Sequence, residues 1–419
     1  MKKRKIRIDR LLIVIAIPLA LIGLISLLFV NFKFIGKSSI HNDAKKYSTR
    51  SCMVFYPDGD IGKDYAKTIC KENKDNKVFD YVLVPYGDYY LVSYGNCSYY
   101  VDKSYNKIVV DEVSDFGKQI IIDYIRYTIK KEKSELYTGE FLENTSVDDF
   151  DFTNLTYSIE NDSLKCNVPD YDIDVYVPLK YIQNEIGMNF GYTNELYQKP
   201  VYIRDNKKVV CLTFNDGPNF KDDSPTSTEK IVETLYKYDV VATFFVIGDN
   251  LDDDYWVTSN INAFLLDSIH KGNEYGSRQQ TGNVYLTDLT AEKIVQAIEG
   301  PANYFKKNLN YEMKLYRPIG MDRNAAVDNV APYPAVLWNV DSNDLVEGDV
   351  DVIYHNVIDD VDNGDIVCLT DIYDDTAEAV EKIVAYLVEN DFELVTVSQM
   401  MNYYHIENID YIFDSSYYN

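Results

Sequence analysis

The stretch VVCLTFNDGPNF, Val209 to Phe220, decides the fold. An apolar run rich in β-branched residues stops abruptly at Asn215-Asp216-Gly217-Pro218, a turn signal. A run that is apolar on both faces reads as a buried strand of a parallel sheet. Its C-terminal end delivers two side chains, Asn215 and Asp216, to a sharp turn, and active sites of barrels and open α/β sheets lie at that end of their strands. One of the two is an amide, which neither takes up a proton as a base nor carries charge to a metal.

Outward from this strand the chain keeps alternating. STEKIVETLYKYD, VVATFFVIG, NINAFLLDSIHKG, AEKIVQAIEGPANYFKKN, KLYRP, AVLWNVD, DIVCLT, TAEAVEKIVAYLVEN and ELVTVS follow in order. Short apolar strands alternating with helical patterns predict an α/β domain with a parallel sheet or barrel over residues 201–405. Ahead of it, residues 51–112 alternate strand-like runs such as YVLVPYGDYYLVSYG with one amphipathic stretch. Residues 113–200 open with the helical QIIIDYIRYTIKKE and continue into strand-like runs. Each segment predicts a small α+β domain, and neither contains a His. Residues 31–50 read as a polar stalk and residues 406–419 as a tail.

The N-terminus carries Lys2, Lys3, Arg4, Lys5, Arg7 and Arg10 against Asp9. LLIVIAIPLALIGLISLLFV, Leu11 to Val30, then holds no charged residue. About 20 apolar residues span a bilayer as one helix, and the basic flank 1–10 places the N-terminus in the cytoplasm. A cleaved signal peptide is the rival reading, but it needs a shorter apolar region and a small-residue cleavage site. The expectation is a single-pass protein of the cell membrane whose C-terminal domain is extracytoplasmic. The whole chain of 419 residues has 67 Asp plus Glu against 41 Lys plus Arg, a net charge of −26. Such a polyanion is a poor nucleic-acid binder, because phosphate neutralisation needs clustered cations. The acidity reads as a solvated surface.

The six cysteines show no C-x-x-C spacing, so neither a zinc knuckle nor a redox pair is indicated. In an exported chain Cys52, Cys70 and Cys97 are near enough for one bridge among them. Cys211 and Cys368, each ahead of Leu-Thr, read as buried thiols. The 38 tyrosines accompany many Asn, Lys and Ile and read as compositional bias. His41, His270, His355 and His405 are scattered and read as ordinary surface or helix residues. The acidic run at 252–254 lacks the D-x-[DN]-x-[DN]-G pattern of a calcium loop.

TFNDGP, VVATFFVIGDN, KGNEYG, YRPIG, LWNVDSNDL and DIVCLTD, in that order, resemble the polysaccharide deacetylases of the NodB type over residues 201 to about 402. The anchor and two small domains ahead further resemble membrane-anchored peptidoglycan N-acetylglucosamine deacetylases. The resemblance implies a distorted (β/α) barrel of about seven strands. It also implies a divalent metal, usually zinc, that polarises an acetyl carbonyl and activates water, with an Asp as base and a His as acid.

Residue by residue the implied machinery is missing. The base position holds Asn215, while Asp216 keeps a metal-ligand position. Alignment on Glu274 and Gly276 puts Asn273 at the preceding His and places Arg278 and Gly282 at the two ligand His. Arg317, which normally holds the base, survives with Pro318. Trp338, Asp341 and Asp344 survive, the last in a block whose Asp orients the acid; Trp338 and Arg317 are the candidate ligand-binding residues. The acid position holds Thr370. Losing one acid or base role costs ~10²–10⁴ in rate, and losing the ligands removes the activated water. No metal or other cofactor is therefore expected, although active relatives use zinc.

Arg278 poses a sharper alternative: its guanidinium either pairs with Asp216 in place of a metal ion or points to solvent. The expected function is that of a deacetylase homologue without activity, which binds cell-wall glycan or a wall-synthesis protein through the old cleft. Two rivals stand beside it. One is an active hydrolase built around Asp216, Asp341 and Asp344. The other is a structural or interaction protein working through its N-terminal domains.

Overall fold

In the computed structural model, Lys208–Asn215 is one strand, buried from Val209 onward. The structure describes residues 45–406, less several short internal stretches, and residues 412–413. The chain divides into two compact units, Met1–Ile108 and Val109–Asn419.

In the first unit strands β1 (Lys45–Ser48), β2 (Cys52–Tyr56), β3 (Phe79–Tyr86), β4 (Tyr89–Tyr94) and β5 (Cys97–Val101) lie side by side in chain order. Helix α1 (Asp60–Glu72) connects the parallel pair β2–β3, and the remaining pairs are antiparallel. The helix buries Ala66, Ile69 and Cys70, one stripe of a 3.6-residue repeat. Cys70 is disulfide-bonded, whereas Cys166, Cys211 and Cys368 are buried free thiols. The expected transmembrane helix at 11–30, with the segment 1–10 and most of the stalk, lies outside the described residues. Among the described residues no helix is long and apolar enough to cross a membrane.

The second unit opens with α2 (Asp115–Glu132), capped by the Ser114 hydroxyl accepting from the Gly117 N–H. Helix α3 (Gly139–Asn144) and a meander of β6 (Thr156–Glu160), β7 (Ser163–Val168) and β8 (Ile173–Pro178) follow, then the short α4 (Leu179–Ile182). Ile173, Val175 and Val177 alternate inward on β8, against which the isoleucine-rich face of α2 packs. Lys130–Glu393 at 2.7 Å and Lys199–Asp239 at 2.6 Å tie this segment to the rest of the unit.

The remaining elements are β9 (Lys208–Asn215), α5 (Ser227–Lys237), β10 (Thr243–Val246), α6 (Tyr255–His270), β11 (Glu274–Ser277), α7 (Ala291–Leu309), α8 (Ala325–Asp328), β12 (Ala335–Val336) and β13 (Val340–Asp341). After them come α9 (Val350–Ile358), β14 (Ile366–Thr370), α10 (Asp374–Glu389), β15 (Phe392–Leu394), α11 (Val397–Tyr403) and β16 (Ile412–Phe413). All pairs are parallel, in the order β11-β10-β9-β14-β13, with β15 beside the start of β9. Single bridges Ser277–Tyr316 and Tyr316–Ala335 carry the wall on to β12. There β16, within the segment expected as a tail, adds a parallel strand.

The period of two along β9 sorts its side chains. Val210, Leu212 and Phe214 lie in the core cluster under the helices, where Phe214 stacks on Phe244 at 4.9 Å. Val209 and Cys211 join the other cluster with Phe245, Leu315 and Ile366. Thr213 and Asn215 continue that second face, so the turn that follows stands over the interior of the barrel.

Candidate functional site at the barrel mouth

Asp216 leaves β9 with φ +71°, in the left-handed region, and Gly217 follows. The glycine is required: a Cβ there would stand 2.0 Å from the Asp371 carboxylate. Asp371 accepts from the Thr228 hydroxyl at 2.9 Å and from the Gly217 N–H. Burial, with the Asp216 charge adding, pushes its carboxyl up to about 7.

Arg278 follows β11 and turns inward. Its Nε donates to Asp216 Oδ1 at 2.9 Å and its Nη1 donates to the Pro318 carbonyl at 2.9 Å. The arginine side chain is 5% exposed and the aspartate 22%. Of the two alternatives read from the sequence, the paired one is the one the structure contains. Gly282, at the second ligand position, is exposed, and a Cβ added there would meet Ile247 at 3.0 Å.

Arg317 is wholly buried. Its Nη1 donates to Thr213 Oγ1 at 2.8 Å and to Asn215 Oδ1 at 3.2 Å, and its Nε to the Val336 carbonyl at 3.0 Å. The guanidinium lies over Phe245 at 4.3 Å and over Trp338 at 5.1 Å. Burial lowers its pKa to about 10, which leaves it charged at neutral pH. Asn215 uses its other end as well: Nδ2 donates to Cys368 Sγ at 3.0 Å. The Asn215 amide thus bridges an arginine and a thiol, both buried.

Thr370 ends β14 and faces Asp344. The carboxylate accepts from the Thr370 hydroxyl at 3.1 Å, the Thr370 N–H at 2.6 Å and the Thr376 hydroxyl at 2.9 Å. Burial raises the Asp344 carboxyl, against the lowering by these donors. Asp341 accepts from the Trp338 indole N–H at 2.8 Å and fixes the plane of that ring.

The structure therefore gathers Asn215, Asp216, Arg278, Arg317, Trp338, Asp344 and Thr370 around one mouth. Asn273 and Glu274 lie elsewhere, at the start of β11. Asn273 is buried and accepts from the Ala242 N–H, and Glu274 accepts from Thr243 and Ser398. Asp371 is the site residue that sequence reasoning missed; its signal was a carboxylate directly after the strand end CLT. His270, His355 and His405 are not at the mouth. The acidic run at 252–254 and His41 lie outside the described residues.

A divalent metal does not fit this donor set. One Asp216 oxygen is taken by a guanidinium, whose charge repels a second cation. The two neighbouring positions that the resemblance assigns to ligands hold an arginine and a glycine. Among the described residues no group of three His, Cys, Asp or Glu could hold a metal ion. The loops leaving the strand ends expose Tyr285, Met321, Leu345, Val346 and Tyr373.

The sequence pattern of the polysaccharide deacetylase family matches residues 203–333. A peptidoglycan-N-acetylglucosamine deacetylase of Bacillus cereus is 31% identical over 212 residues, which cover 48% of this chain and 92% of that protein. The peptidoglycan-N-acetylmuramic acid deacetylase PdaC of Bacillus subtilis is 30% identical over 198 residues, 47% of this chain and 40% of the relative's own length. The solved structure of that deacetylase superposes with a TM-score of 0.44 at 28% identity, over 48% of this chain and 94% of the other.

Proposed function

The chain belongs to the polysaccharide deacetylase family, and from that premise we propose that it is a member without deacetylase activity that acts by binding at the cell wall. The observation that carries the reading is the Arg278–Asp216 pair, a fixed cation at the position where the family's chemistry needs a metal with an open coordination site. Asn215 cannot act as the base, and Thr370 has no titration near neutral pH with which to act as the acid. The supports of the lost groups remain in place, Arg317 on Asn215 and Asp344 on Thr370.

The partner is a cell-wall glycan or a wall-synthesis protein, met by the apolar rim of the mouth. Val346 is 82% exposed and Leu345 62%, and adjacent exposed apolar side chains favour contact with a partner. Relatives that act on peptidoglycan support the wall as the place of action. The apolar segment Leu11–Val30 supports a single-pass anchor in the cell membrane.

The test is metal content. The full chain is purified, loaded with zinc or cobalt and freed of excess, and bound metal is counted by elemental analysis. Less than about a tenth of an equivalent, with no deacetylation of chitin oligomers or peptidoglycan, is expected. One equivalent per chain, abolished by Asp216→Ala, would return the protein to the active enzymes.

A further inference from the structure

The end of the barrel opposite the mouth carries an open cavity of about 430 Å³, of the size that takes small ligands. It is walled by the C-terminal ends of α6 and α7, by the start of α2, and by residues around α4. Residues 113–200 and the barrel both contribute, so the cavity forms only where the two are packed together.

Its lining has three features. Aromatic rings gather there: His270 lies against Phe116 at 4.7 Å with an interplanar angle of 33°, and Tyr181 meets Tyr197 at 5.4 Å. The charges balance, Lys180 and Lys307 against Glu185 and Glu195, and Lys180 is already spent on Glu195 at 2.7 Å. Among the described residues the ring nitrogens of His270 have no hydrogen-bond partner. Burial lowers the pKa of that ring, so at neutral pH it offers one donor and one acceptor.

From this lining we infer that the cavity is a saccharide-binding site for a neutral amino-sugar segment of a glycan, separate from the degenerate mouth. A sugar ring presents apolar C–H faces to aromatic rings, and hydroxyl and acetamido groups to amides and a neutral imidazole. The exposed amides of Asn308 and Asn310 stand at the rim to meet them. An anionic ligand would find no net positive charge here, and a cation no unpaired carboxylate cluster. The site does not depend on how the mouth is read.

The probe is chitotetraose, titrated calorimetrically into the full chain, with His270 followed by its ring carbon–proton NMR resonances. Saturable binding that shifts the His270 resonances is expected. Tyr181→Ala should weaken it about tenfold, the value of one lost aromatic contact. Asn308→Arg, an exposed change at the rim that needs no repacking, should block it. Lys307→Glu should leave it unchanged, because a neutral ligand has no charge to repel. No binding, or binding retained in Asn308→Arg, overturns the inference. Binding that weakens sharply in Lys307→Glu assigns an anionic ligand and overturns it equally.

Discussion

Two of the ion-pair regions in the second unit are held differently. At the joint between residues 113–200 and the barrel, Lys199 with Asp239 and Lys130 with Glu393 are each about a tenth exposed or less. Arg204 and Tyr137 add further donors to Glu393 and Asp239, and Asp123 accepts from Tyr197 at 2.9 Å. At the mouth, one arginine holds one aspartate, and the aspartate still meets water. The joint is a network drawn from both segments, whereas the mouth pair is one arginine on one aspartate. The same chemistry therefore serves cohesion in one place and occupies the barrel mouth in the other.

The joint should give the largest response to mutation. Asp239→Ala leaves Lys199 buried without its partner, and removing one member of a buried pair costs about 3–5 kcal/mol. Denaturant unfolding checks it, and a loss under about 1 kcal/mol would mean that water reaches the joint as it reaches the mouth.

Next in size is a pH effect from carboxyls that burial raises. Asp371 is raised to about 7 and Asp123 to about 6. Both bind a proton more tightly in the folded chain than in the unfolded one. Their contribution is therefore fully present below pH 4 and is lost as pH rises toward 7. Thermal stability should fall over that window, by at most about 4 kcal/mol for a group shifted by some three units. Asp371→Asn should flatten the slope. An unchanged slope would place the titration elsewhere.

The pair at the mouth comes third. Arg278→Met frees an aspartate that solvent already touches, so roughly 1–2 kcal/mol is expected by the same unfolding measurement. A cost equal to that of Asp239→Ala would erase the distinction between the two regions.

These regions also differed in how legible they were. Strand β9 could be read because an apolar run ended at Asn-Asp-Gly-Pro. Asn215, Arg317 and Thr370 could be placed because each ends or follows a strand in a fixed order. The sequence order places Arg278 after its strand but not its orientation, which is set by Asp216, 62 residues away in the chain. The joint was invisible, because Lys130 and Glu393 lie far apart in the chain and nothing local marks either. Asp371 was hidden for another reason: among 67 acidic residues, one more carboxylate at a strand end carries little information until its burial is known. The segment 406–419 read as a tail because a two-residue strand leaves no periodicity to detect.

The smallest effect expected belongs to Asn215→Asp. The new carboxylate would stand where the Asn215 amide stands, within reach of the buried Arg317 guanidinium and beside the Cys368 thiol, which can turn its proton toward it. Arg317 already carries the charge to compensate it, so stability should move by less than about 1 kcal/mol. Deacetylation of chitin oligomers should remain undetectable, because a restored base has no activated water to serve while Arg278 fills the metal position. Turnover in the single variant would show that the arginine is no obstacle, and the two regions would then differ in exposure alone. Turnover only after Arg278→His and Gly282→His are added would instead locate the loss at the metal ligands.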